Sequence, residues 1–132
     1  MSILAPTVTL HARGAASPAV VWSRYTHLDA WPRWSPQIAG VETDGDLLRA
    51  GMRGVVRGPL GIGVPFVVTA VDEVSRQWSW RVRLGPLGMH LTHGVEGDGA
   101  GTRTWLRVSG LLPAVAGYAP LALLALRRLV RP

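Results

Sequence analysis

The sequence predicts an α+β fold in which a curved antiparallel sheet of about seven strands wraps a C-terminal helix, with two short helices after the first strand. Three observations carry this expectation. Residues 111–126 hold no charge, and Arg127, Arg128 and Arg131 follow together; on a helical wheel the arginines gather on one side and Leu121, Ala122, Ala125, Leu126, Leu129 and Val130 on the other. Upstream, the chain is a succession of short alternating segments between glycine-rich turns. Consecutive hairpins make a meander, and a helix returning after the last strand must lie on a face of that sheet.

Each element has its own signal. Residues 7–13 alternate, with Val8, Leu10 and Ala12 on one face of a half-buried strand. Ser17-Pro18 is a helix cap followed by proline in the first turn, and Val20, Val21, Trp22 and Tyr25 continue at helical spacing. A second short helix is expected over residues 28–34, limited by Pro32 and Pro36, followed by extended chain over 37–42. Strands are expected over 52–57 and 64–73, joined by a glycine-rich turn that links two strands and so lacks phosphate-cradling geometry. The clearest alternation is in residues 76–84, with Trp78, Trp80, Val82 and Leu84 on the dry face. Residues 89–96 put Met89, Leu91, His93 and Val95 on that face, and residues 102–109 put Thr104, Leu106 and Val108 there. The terminal helix carries Pro113, comfortable in a first turn, and Pro120, which predicts a kink or restart.

Composition narrows the function. A chain of 132 residues makes one domain, residues 1–132, able to bury a core without staples. It has no cysteine, which excludes disulfides and thiolate chemistry; it has fourteen arginines and no lysine, which excludes a Schiff base. The arginines are spread singly along the strands, which argues against nucleic acid as a partner. The N-terminus lacks the basic start and apolar run of a secretory signal, and the expected location is cytoplasmic. A membrane span needs about 20 apolar residues, and the C-terminal run is interrupted by Pro113, Gly117 and Pro120. The same helix lying on a membrane surface is a separate, weaker alternative.

Two stretches carry a resemblance: Ser17-Pro18-Ala19-Val20-Val21-Trp22, and Leu28-Asp29-Ala30-Trp31-Pro32-Arg33-Trp34. With Ala50-Gly51-Met52-Arg53, Trp78-Ser79-Trp80 and Gly99-Ala100-Gly101-Thr102-Arg103, they make the chain similar to the SRPBCC superfamily of START and birch-pollen-allergen-like proteins, in its polyketide cyclase/dehydrase-like branch. The resemblance spans essentially the whole chain and implies a helix-grip fold. Relatives usually continue the last helix further, so a wider cavity mouth, or an apolar surface that a second copy would cover as a homodimer, is expected.

A sheet closed by a helix encloses an apolar cavity. Its expected lining is Trp78, Trp80, Met89, Leu91, His93, Leu106 and Val108 from strands and Tyr118 from the helix; the resemblance adds Trp31 and Trp34 at the entrance. Indoles give a flat apolar wall with one donor each, suited to aromatic, polyketide or lipid-like ligands, though tryptophans at strand spacing are also ordinary core filler. His93 alone interrupts this inner face. It reads either as a general acid/base for cyclisation or dehydration or as a buried histidine satisfied by a neighbour. Arg53, by the resemblance, would position a poly-β-ketone if its strand turns it inward. His90 and His93 point to opposite faces and make no metal site, and no cofactor is expected. The first reading is binding of a small hydrophobic ligand. The alternative is a polyketide cyclase, aromatase or dehydratase using His93, with Tyr118 or Arg53.

Overall fold

A computed structural model describes residues 7–110 and 112–132. Seven strands form one antiparallel sheet: β1 (Thr7–Gly14), β2 (Gly40–Thr43), β3 (Arg53–Arg57), β4 (Gly63–Asp72), β5 (Gln77–Leu84), β6 (Leu87–Asp98) and β7 (Gly101–Gly110). Their spatial order is β1-β7-β6-β5-β4-β3-β2, so the meander runs from β2 to β7 and the first strand closes beside the last. Between β1 and β2 lie helix α1 (Pro18–Thr26), a single 3-10 turn (Leu28–Ala30) and the short α2 (Trp31–Trp34). Helix α3 (Leu112–Leu129) follows β7 and packs against β1, β7, β6 and α2. The predicted α+β arrangement, a curved sheet gripping a terminal helix, is the observed one.

Local chemistry explains the short elements. Ser17 accepts the Val20 amide at 3.3 Å and Pro18 opens α1, which buries Val21, Trp22 and Tyr25 on one side. In α2, Trp31 and Trp34 sit three apart and both point inward. The strand expected over 37–42 begins later, at Gly40: Pro36 has no amide to donate, and the Ile38 amide turns back to the Ser35 carbonyl at 3.1 Å.

The inner face of the sheet supplies Phe66, Val68, Trp78, Trp80, Leu91, Val95, Leu106 and Val108, all buried. From α3 come Val115, Ala122, Ala125, Leu126 and Leu129, and from the residue after it Val130, each within 4% of complete burial. Each fully buried large apolar side chain contributes about 1.5–3 kcal/mol, so this one interface accounts for much of the driving force. Leu121, expected on the buried stripe, is 46% exposed, because it overhangs the edge of the internal cavity instead of the packed core.

The trailing end of α3 is tied down. The Ala16 amide donates to the Val130 carbonyl at 3.2 Å, and Arg24 donates to the carbonyls of Leu129 and Arg131 at 2.7 and 2.5 Å. Gly14 is needed here, since a Cβ at that position would strike the Val130 backbone. The helix runs through Pro120 as one element, without the expected restart; the proline brings no N–H, so the Ala116 carbonyl lacks its usual helical donor. The expected helix start at residue 111 lies outside the described residues.

Candidate functional site

A cavity of about 300 Å³ opens between the concave face of the sheet, α2 and α3. Of the residues expected there, Trp78, Trp80, Met89, His93 and Leu106 line it from the sheet, Trp31 and Trp34 from α2, and Tyr118 from α3. Three expectations are corrected. Leu91 and Val108 are completely buried but belong to the packed core and not to the cavity wall. Arg53 lies on the opposite, outward face, because Met52, Gly54 and Val56 take the inward positions of its strand. Inward Gly54 is fixed by contact: a Cβ there would press on the Phe66 ring and the Glu42 carbonyl.

Sequence reasoning missed part of the wall. Gln37, Ile38 and Ile62 come from turns, and Ala122 and Ala125 come from the helix. The alanines carried a usable signal, since two small residues three apart on a buried helical stripe leave room where larger neighbours would fill it.

His93 is 3% exposed and anchors a directed chain of hydrogen bonds. The Trp80 indole N–H donates to its Nε2 at 3.0 Å. An indole nitrogen donates only, so Nε2 must accept and the ring is neutral with its proton on Nδ1. Nδ1 lies 3.0 Å from the Tyr25 hydroxyl, and that hydroxyl lies 3.4 Å from Thr104 Oγ1, which donates to the Gly94 carbonyl at 2.9 Å. The only consistent polarity runs from Trp80 through His93, Tyr25 and Thr104 to the Gly94 carbonyl. Burial holds the imidazole down to about 3, and burial also pushes the Tyr25 hydroxyl above its ordinary value. Both groups are therefore neutral across the physiological range.

Aromatic packing fixes the same residues. Trp78 stacks on His93 with centroids 4.4 Å apart and planes 7° apart, and Tyr25 meets Trp34, Trp78 and His93 edge-on at 5.0–5.5 Å. The Trp31 and Trp34 indoles donate to the carbonyls of Tyr25 and Arg24 at 2.8 and 3.1 Å, which locks α2 onto the end of α1.

The sequence matches, over residues 5–131, the family described as polyketide cyclase / dehydrase and lipid transport. The chain belongs to that family. No curated protein matches its sequence. Among solved structures it is similar to Ara h 8.0201, with a TM-score of 0.72 over 94% of this chain and 95% of that one at 13% identity. At that identity the likeness concerns the fold, which is birch-pollen-allergen-like.

Within this family member the cavity offers little polar chemistry. Among the described residues its wall contains no carboxylate and no arginine. Polar atoms come from Ser35, Gln37, Trp78, Tyr118 and the already engaged His93. Burial pushes the Tyr118 hydroxyl up to about 12. Among the described residues, Trp78 Nε1 and Gln37 Oε1 are buried without a partner. No three His, Asp or Glu side chains gather as a metal site among the described residues. No helix there is long and apolar enough to cross a membrane.

Proposed function

We propose that this chain binds a small hydrophobic ligand, aromatic or lipid-like, in the cavity between sheet and C-terminal helix. One observation carries the reading: an apolar cavity of about 300 Å³ whose single basic residue, His93, has both ring nitrogens committed to the protein. That volume sits at the lower end of the roughly 300–1,000 Å³ typical of small-molecule sites. The two indoles of α2 and the two of β5 supply flat walls, and Tyr118 supplies a neutral hydroxyl for one polar atom of the guest. Native mass spectrometry of the purified protein, with titration of a neutral naphthylamine probe, tests this. The expected result is a co-purified small molecule or saturable probe uptake that Ala122→Leu removes. Probe uptake indifferent to Ala122→Leu, with no co-purified molecule, would overturn it.

A cyclase or dehydratase is the second reading, supported by the family's description and by the Tyr118 side chain at the cavity wall. His93 could handle a proton only after breaking its bond to Trp80 or Tyr25, so Tyr118 is the better placed donor of the two. Tyr118→Phe with a poly-β-ketone substrate separates the readings: loss of turnover with binding retained favours catalysis, and absent turnover in both proteins favours binding alone.

A further inference from the structure

The outward face of the sheet carries a second depression, whose polar lining is Arg53, Arg81, Arg83, His90 and Ser109; it shares only Val82 and Met89 with the ligand cavity among the described residues. Strand register makes this a continuous row: Arg53 pairs with Val67, Val67 with Arg81, Arg81 with His90, and His90 with Ser109. Residues paired across adjacent strands share a face, so all five side chains project outward together. Arg53 and Arg81 stand two strand spacings apart, about 9–10 Å, on either side of the short Val67.

We propose that this depression is an anion site for a phosphate group. None of the eight carboxylates of the chain lines it. Elsewhere the same chain does pair its arginines, as in Arg13 with Asp98, Arg49 with Asp44 and Arg57 with Glu42. Arg53 and Arg81 share one face with no acid between them, so their charges repel, and a bound dianion reverses the sign of that interaction. Guanidinium forks match the geometry of phosphate oxygens and hold two at once. The Ser109 hydroxyl, 3.1 Å from Thr7 Oγ1, adds a neutral partner at the end of the row.

His90 makes the site proton-linked. The groups facing it are Arg81 from β5 and the Ser109 hydroxyl from β7, with no acid among them. Partial burial first, and Arg81 second, hold its pKa below the ordinary histidine value. An anion beside it favours the protonated ring, so binding takes up a proton and tightens as pH falls.

Inorganic pyrophosphate is the soluble probe, and phosphatidylcholine vesicles with and without phosphatidate are the lipid arm. The expected result is saturable pyrophosphate binding by calorimetry, weakened at least about tenfold in the Arg53→Gln/Arg81→Gln variant. The Arg103→Gln/Arg127→Gln variant, which loses the same charge on another part of the surface, is expected to bind like the parent. Affinity is expected to rise between about pH 8 and about pH 5.5, the range bracketing histidine, and His90→Gln to flatten that rise. Vesicle capture lost in Arg53→Gln/Arg81→Gln assigns a lipid headgroup as the source; pyrophosphate binding without capture assigns a free phosphate compound. Equal weakening in both double variants would reduce the effect to net charge and overturn the site, as would binding in neither arm.

Discussion

Trp80 donates its indole hydrogen to Nε2 of His93 at 3.0 Å, and this single bond fixes the protonation state of the one basic side chain inside the cavity. A donor-only neighbour leaves the imidazole no choice of tautomer. The ring then serves as a structural junction between β5, β6 and α1, with Tyr25 as its second partner.

Replacing His93 by alanine is expected to destabilise the protein by about 3 kcal/mol, because the Trp80 and Tyr25 polar atoms lose their buried partner. Urea unfolding monitored by tryptophan fluorescence gives the number. Glutamine, which can both accept and donate, is expected to recover part of it. A cost below the error of the measurement for His93→Ala would contradict the junction.

The same residue shapes the pH dependence of stability. Its pKa is lowered from 6.5 in the unfolded chain to about 3 in the folded protein, through burial. The unfolded state therefore takes up a proton that the native state refuses. The contribution from His93 is fully present above about pH 6.5, declines as pH falls below that value, and is lost completely only below about pH 3. Comparing unfolding free energies of the parent and His93→Gln between those limits should show a shallower slope in the variant.

Gly94 lies directly under the Trp105 ring, and a Cβ at that position would collide with the indole. Gly94→Ala is expected to displace Trp105 from the sheet and from Arg107, whose guanidinium sits 5.3 Å from the ring centroid. A red shift in tryptophan emission and a loss of about 1–3 kcal/mol would mark this. Unchanged emission would show that the ring tolerates the methyl group in place.

Ala125→Met fills the cavity from the helix side, where Ala125 is buried and lines the wall. Ligand uptake is expected to fall at least about tenfold while thermal stability stays level or rises, since filling a void restores packing contacts. Probe titration and a melting curve on the same sample check both halves.

Much of the fold was legible because strands with one dry face write their alternation into the sequence. Trp78, Trp80 and Val82, then Leu91, His93 and Val95, then Thr104, Leu106 and Val108, all face inward as their spacing predicts. Arg53 was not legible. In its strand the inward positions alternate glycine with valine, so no pattern distinguishes the two faces; only pairing with β4 and the Phe66 ring over Gly54 settles the parity. Tyr25 was read as helical core and nothing more. Its role arises from a bond to a histidine 68 residues away, and no local spacing encodes such a meeting. The turn containing Ile62 was read as a hairpin alone, yet Gly58, Pro59 and Ile62 form part of the cavity wall.

Pro120 stands in the middle of α3, between the part that carries Tyr118 over the cavity and the part that Ala16 and Arg24 fasten to the rest of the chain. The cost of its missing N–H falls beside the pocket, because Tyr118 and Leu121, on either side of the proline, both line the cavity. Pro120→Ala would restore a donor to the Ala116 carbonyl and add about 1–3 kcal/mol to stability, a gain the helix forgoes at the turn where it roofs the guest.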